Sequence, residues 1–144
     1  MRYYCSYQER CHAEVVQKLY SLGAPQLMHD EVIVHLLQHN FLNEERFAKT
    51  FAISKFHQKK WGKIRITNEL KQRQISTYLI TKGLQEIPSH EYEETFETLT
   101  EKTWQAITEK NTLKKRKKFC DTLLRKGWES ELVYEAVKKL EKNS

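Results

Sequence analysis

An all-α chain built from tandem three-helix repeats is the fold that three observations predict. Only four glycines and two prolines occur in 144 residues, while Leu, Glu, Lys and Gln, all good helix formers, are abundant. Apolar residues recur at the spacing of one helix face: after Gln74 and Gly127 come Ile75 and Trp128, followed 4, 5, 9 and 12 residues on by Leu79, Ile80, Leu84, Ile87 and by Leu132, Val133, Val137, Leu140. The chain also repeats itself. Leu19, Leu70 and Leu123 stand in register 51 and 53 residues apart, each followed four residues later by Gly23, Gln74 or Gly127. Glycine at two of those three positions suits left-handed helix caps. A unit of roughly fifty residues is too long for one helix and suits three short ones. A continuous bundle without true repeats is the alternative architecture.

The repeat divides the chain into residues 1–41, a shortened first repeat, residues 42–87 and residues 88–144. In the first, helices are expected over Ser6–Leu22 and Leu27–His39, with only Met1–Cys5 left for a leading helix. In the second, Asn43 before Glu44-Glu45 reads as an N-cap with acids in the first turn. That helix should run to about residue 58 and bury Phe47, Ala48, Phe51, Ala52 and Phe56. Gly62 breaks it, helices follow over Lys63–Arg73 and Ser76–Leu84 with Ser76 as a cap, and Ile87-Pro88-Ser89 is the link. The third repeat is expected to hold helices over His90–Glu109, Thr112–Lys126 and Glu129–Lys142.

Composition narrows the class. An apolar content of 39% allows a core and disfavours disorder. Cys5, Cys11 and Cys120 make an odd number with no CxxC pair, so neither a disulfide framework nor a zinc site is indicated. The expected compartment is reducing and cytoplasmic. No apolar run approaches the ~18 residues of a membrane span, and no signal-peptide core lies near Met1.

Net charge is +6, and its distribution says more than its sum. From Arg46 to Arg73 nine bases (Arg46, Lys49, Lys55, Lys59, Lys60, Lys63, Arg65, Lys71, Arg73) face one acid, Glu69. Residues 110–126 hold eight bases (Lys110, Lys114, Lys115, Arg116, Lys117, Lys118, Arg125, Lys126) and one acid, Asp121, whereas residues 86–109 hold one base, Lys102, and seven acids. Both basic blocks fall on the middle helix of a repeat and the turn before it. Each alone reads as a solvated face; together they suggest separated cationic patches for a polyanion or an acidic protein surface. Binding of nucleic acid through them should be salt-sensitive and largely sequence-independent. Trp61 and His57 beside the first block are candidates to stack on bases, although Trp61 also fits a packing role at the helix turn.

Catalytic arrangements are sparse. Trp61-Gly62-Lys63-Ile64 lacks the upstream glycine and the Ser/Thr of a phosphate loop. His35 and His39 have the i,i+4 spacing of a shared metal but no evident third ligand, and read as structural or solvent-facing. Glu91, Glu93, Glu94, Glu97 and Glu101 read as the wet face of a helix whose dry face is Tyr92, Phe96, Leu99 and Trp104. Cys120 sits among apolar neighbours and reads as core. No enzyme, cofactor or metal is expected.

The string Phe41-Leu42-Asn43-Glu44-Glu45-Arg46-Phe47-Ala48, then Trp61-Gly62-Lys63-Ile64-Arg65-Ile66 and Glu69-Leu70, resembles the RecX family, regulators of the RecA recombinase. Tyr4-Cys5-Ser6 through Glu14 and Leu19 is similar to the family's opening block, and Leu124-Arg125-Lys126-Gly127-Trp128 to its closing one. Gln74 departs from the pattern by standing where the family has Gly. The resemblance implies tandem three-helix repeats in an elongated, curved arrangement. It also implies a monomer that lies along the groove of the RecA–single-stranded-DNA filament and inhibits filament growth, ATP hydrolysis and strand exchange. Partners would be RecA and single- and double-stranded DNA, contacted through Lys55, Lys59, Lys60, Lys63, Arg65, Lys71 and Arg73 in one patch and Lys114, Lys115, Arg116, Lys117, Lys118, Arg125 and Lys126 in the other. The competing reading is a sequence-independent DNA-binding helical protein without a recombinase partner; a helical adaptor for an acidic protein is a third.

Overall fold

The computed structural model describes residues 1–143, apart from the side chain of Tyr7. Among these the chain forms nine α-helices, one 3-10 turn and no strand: α1 (Arg2–Tyr7), α2 (His12–Ser21), the turn Gln26–Met28, α3 (His29–Gln38), α4 (Glu44–Lys59), α5 (Lys63–Gln72), α6 (Thr77–Leu84), α7 (Ser89–Ala106), α8 (Thr112–Arg125) and α9 (Ser130–Lys142). Asn43 and Ser76 act as the expected caps. Their side-chain oxygens accept the backbone N–H groups of Arg46 (2.9 Å) and Leu79 (3.3 Å).

Two expected helices come out differently. The stretch Ser6–Leu22 is two helices, because Cys11 opens a new one: its N–H donates to Glu14 Oε1 (3.2 Å) while its sulfur accepts the Glu14 N–H, a capping box built on cysteine. Cysteine is not a usual cap, so this start carried no sequence signal. Arg2–Tyr7 forms a short helix ahead of it. Burial pushes the Cys11 thiol up to about 11, so it stays protonated. The other difference is α7, which stops at Ala106 instead of Glu109, with Ile107 already extended.

Five helices end on a left-handed residue: Gly23, Asn40, Lys60, Gln74 and Gly127. In four of them the next N–H reaches back to the same relative carbonyl: Ala24 to Leu19, Phe41 to Leu36, Ile75 to Leu70 and Trp128 to Leu123, at 2.8–3.2 Å. The repeat leucines therefore mark equivalent caps, and Gln74 makes its cap without glycine at φ +62°. A side chain there costs about 1–2 kcal/mol, partly offset by the chain entropy that glycine would lose. Gln74→Gly is expected to stabilise by about 0.5–1 kcal/mol, read as a higher urea midpoint at unchanged slope.

Packing divides the helices into two compact units, one of Met1–Ile53 with Asn68–Glu86, the other of Ser54–Thr67 with the residues from Ile87 onward. In the first, Cys5, Val15, Leu19, Leu36 and Leu42 form a core flanked by Met1, Tyr4, Val32, Ile33 and Phe41. Phe47, Ala48 and Ala52 of α4 are buried, as are Leu70, Ile75 and Ile80. Gly83 lets α6 press onto α4, since a Cβ there would stand 2.7 Å from the Ala48 carbonyl oxygen. Phe51, expected in the core, is only half-buried, with the Arg73 guanidinium 4.8 Å over its ring. Arg46 serves structure: it donates to the Asn40 carbonyl (3.0 Å), and its Nε lies 2.6 Å from Glu9 Oε1, an ion pair whose angle leaves Nε without a hydrogen bond.

The second unit has an aromatic core. Phe56 meets Tyr92 (5.7 Å between centroids), Tyr92 meets Trp128 (4.6 Å) and Trp128 meets Phe96 (5.0 Å), with Trp104 edge-on to Phe119 (5.6 Å) further along. Leu123, Val133 and Val137 complete it. Tyr92, Phe96 and Trp104 are buried and Leu99 half-buried, so the dry face expected of α7 is the one it packs with.

Candidate nucleic-acid interface

Within the second unit, the turn Lys59-Lys60-Trp61-Gly62-Lys63 is knitted to the end of α8 by backbone contacts. Gly62 N–H donates to the Lys126 carbonyl (2.9 Å) and Ile64 N–H to that of Gly127 (3.0 Å). Two glycines permit the approach: a Cβ on Gly62 would stand 2.3 Å from the Gly127 oxygen, and one on Gly127 would stand 2.3 Å from the Arg65 Cβ. Side chains reinforce it. The Trp128 indole N–H donates to the Lys60 carbonyl (3.0 Å), Lys126 Nζ to that of Lys59 (3.2 Å) and Arg65 Nη1 to that of Arg125 (3.2 Å).

Tyr92 ties the turn to the core. Its hydroxyl accepts the Lys63 N–H (2.9 Å) and donates to Glu129 Oε1 (2.5 Å). Burial, and then the bond to Glu129, hold this phenol well above the ordinary tyrosine range, so it remains a neutral donor. Lys63 Nζ lies over its ring at 4.6 Å. Lys55 and Arg65 lie 5.4 and 4.2 Å over Trp61, which is half-buried. That flanking by cations accounts for Trp61 as a support for the basic surface.

The result is one composite cluster of Lys59, Lys60, Lys63, Arg65, Arg125 and Lys126. Among the described residues none of these six forms an ion pair. The nearby carboxylates are engaged elsewhere, Glu129 by Tyr92 and Glu91 by His57 (2.6 Å). Unpaired cations held on a fixed backbone set up the local positive potential that a polyanion requires.

The other basic positions are placed differently. Residues 115 and 126 are separated by about 16 Å of helix rise, so the block Lys114–Lys118 sits at the far end of α8. There Arg116 pairs with Glu141 (2.5 Å), Lys117 with Asp121 (2.9 Å) and Lys118 with Glu109 (3.4 Å), while Lys115 covers the Trp104 ring (4.1 Å). Glu141 is held below the usual carboxylate range by the Arg116 hydrogen bond, and Glu109 by the Asn111 backbone N–H. Both are ionised near neutral pH and cancel much of that block's field. Lys71 and Arg73 belong to the first unit, where Arg73 pairs with Glu69 (3.0 Å). The two blocks that look equivalent in sequence thus split: the tail of the second joins the turn of the first. The signal for this was present in Gly62 and Gly127, which read only as a helix breaker and a cap.

Lys60 sits in this cluster at φ +57°. Lys60→Gly should relieve backbone strain and raise the urea midpoint, by up to about 1 kcal/mol. The same change should weaken nucleic-acid binding and flatten its salt dependence by about one counterion. Strain retained at a position of the candidate interface predicts that opposition.

Among the described residues, no group of three or more His, Cys, Asp and Glu is arranged to hold a metal, and no helix is long and apolar enough to cross a membrane. His35 Nε2 is taken up by the Arg2 guanidinium (2.9 Å).

Comparison with known proteins adds the following. A model for the second three-helix domain of RecX matches residues 43–84, and one for the third three-helix domain matches residues 91–137. "Regulatory protein RecX" of Bacillus cytotoxicus is 28% identical over 130 residues, which are 90% of this chain and 48% of that protein. The protein of the same name from Bacillus cereus (strain B4264) is 27% identical over the same coverage. The chain spans about half the length of the curated relatives it matches. A crystal structure of regulatory protein RecX superposes with a TM-score of 0.82 at 22% identity, covering 94% of this chain and 68% of that one. The crystal structure of RecX from Lactobacillus salivarius superposes with 0.77 at 24% identity, covering 96% and 90%. At such identities these two show a shared fold.

Proposed function

We propose, from the premise that this chain belongs to the RecX family, that it regulates the RecA recombinase by binding the groove of the RecA–single-stranded-DNA filament and limiting filament growth, ATP hydrolysis and strand exchange. The observation that carries the nucleic-acid half of this reading is the unpaired cluster of Lys59, Lys60, Lys63, Arg65, Arg125 and Lys126, fixed by backbone hydrogen bonds. A surface that presents ammonium and guanidinium groups suits the phosphates of a nucleic-acid backbone.

The test is ATP hydrolysis and strand exchange by the RecA of the same organism on single-stranded DNA. Inhibition at a protein-to-RecA ratio well below one supports a filament regulator, since each bound molecule then stops many subunits. A DNA-binding protein without a recombinase partner would slow hydrolysis only as it saturates the DNA. That second outcome would leave the basic cluster a DNA site and remove RecA from the account.

A further inference from the structure

Beside the basic turn opens a pocket of about 370 Å³ lined by Lys60, Glu94, Thr95, Thr98, Leu99 and Lys102. Thr95, Thr98, Leu99 and Lys102 follow i, i+3, i+4, i+7 and share one face of α7. The left-handed backbone at the end of α4 brings Lys60 to the same pocket. The hydroxyls of Thr100 and Thr103 are committed to backbone carbonyls, at 2.8 and 2.7 Å. Those of Thr95 and Thr98 have no hydrogen-bond partner among the described residues. The one carboxylate in the lining, Glu94, is turned to His90, 2.6 Å from its Nε2.

Lys102, Thr95 and Thr98 therefore line one depression with Lys60, a member of the six-cation cluster. This donor set suits a phosphate oxygen: charge-assisted bonds from lysine, with hydroxyls completing the shell. We infer that this pocket seats a backbone phosphate of the nucleic-acid strand held at the basic turn, with Lys102 as its second cation. The inference rests on the reading of that turn as the nucleic-acid contact, and it extends the track onto α7. Lys102 is the lone base in an otherwise acidic stretch, so its place in sequence argues against it while its place in space argues for it.

The experiment measures binding of a fluorescent oligo-dT strand across a salt series, for the whole chain and for Lys102→Ala, Lys102→Arg, Lys118→Ala and Lys63→Ala/Arg65→Ala. Lys102 is exposed, so its replacement should leave helicity unchanged. Lys102→Ala is expected to weaken binding about fivefold at low salt and to lower the salt slope by about 0.7. Lys102→Arg should restore both, and Lys118→Ala should change neither. If Lys63→Ala/Arg65→Ala weakens binding and Lys102→Ala does not, the pocket inference falls while the turn remains the contact. If neither variant matters, the reading of the turn falls with it. Chloride is finally exchanged for inorganic phosphate at equal ionic strength. Lys102-dependent displacement of the strand by phosphate is expected, because the two compete for one pocket; phosphate that binds at Lys102 without weakening strand binding would make this a free-phosphate site and overturn its assignment to the strand.

Discussion

Trp128→Ala is expected to unfold the second unit and to abolish nucleic-acid binding with it. The indole is fully buried, packed between Tyr92 and Phe96, and its N–H satisfies the Lys60 carbonyl. Truncating such a ring costs about 3–5 kcal/mol. Leaving a carbonyl without its donor adds about 1–3 kcal/mol. Domains hold only about 5–15 kcal/mol in total, so the loss approaches the whole. Urea unfolding followed by circular dichroism should show part of the helical signal already lost in buffer. Trp128→Phe keeps the stacking and removes the N–H, and should fall between the two. A melting temperature for Trp128→Ala within a degree or two of wild type would show that the basic turn does not depend on this core.

Reversing Lys60, Lys63 and Arg65 to Glu should have the largest effect on binding. Three cations become three anions inside one patch, and the counterions released on binding fall accordingly. Affinity for single-stranded DNA near 0.1 M salt is expected to drop on the order of 10² or more, with a much shallower salt slope and unchanged helicity. Changing Lys114, Lys117 and Lys118 to Ala, three positions at the other end of α8, should cost less than about threefold, because exposed pairs with Asp121 and Glu109 already offset two of them. Equal losses for the two variants would mean that both blocks bind, and that local ion pairing does not select between them.

What was legible in the sequence follows from which forces are local. Helix spacing, the Asn43 and Ser76 caps and the repeat leucines depend on neighbours within a turn or two, and six helices from α4 to α9 stand within a few residues of their expected ends. Gln74 shows the same logic surviving a substitution, since the cap needs a left-handed backbone more than it needs glycine. The Cys11 start was illegible because a thiol seldom caps. Phe51 was misplaced because helix periodicity gives a face and not its depth. The site was half legible. Charge runs identify candidate cations, but which ones stay unpaired depends on contacts between residues far apart in sequence, such as Arg116 with Glu141. The joining of Lys59–Arg65 to Arg125–Lys126 rests on Gly62 meeting Gly127, a contact 65 residues apart that no local pattern announces.

The central claim is that this composite cluster, and not the block at the start of α8, is where nucleic acid binds. It is tested most directly by measuring the reactivity of each lysine toward an amine-modifying reagent, by mass spectrometry, in the free protein and with a saturating single-stranded oligonucleotide at low salt. No substitution is needed, so folding does not confound the result. Lys59, Lys60, Lys63 and Lys126 are expected to lose reactivity on binding, with Lys114 and Lys117 unchanged. Protection confined to Lys114, Lys115, Lys117 and Lys118, with the turn as reactive as before, would contradict the account.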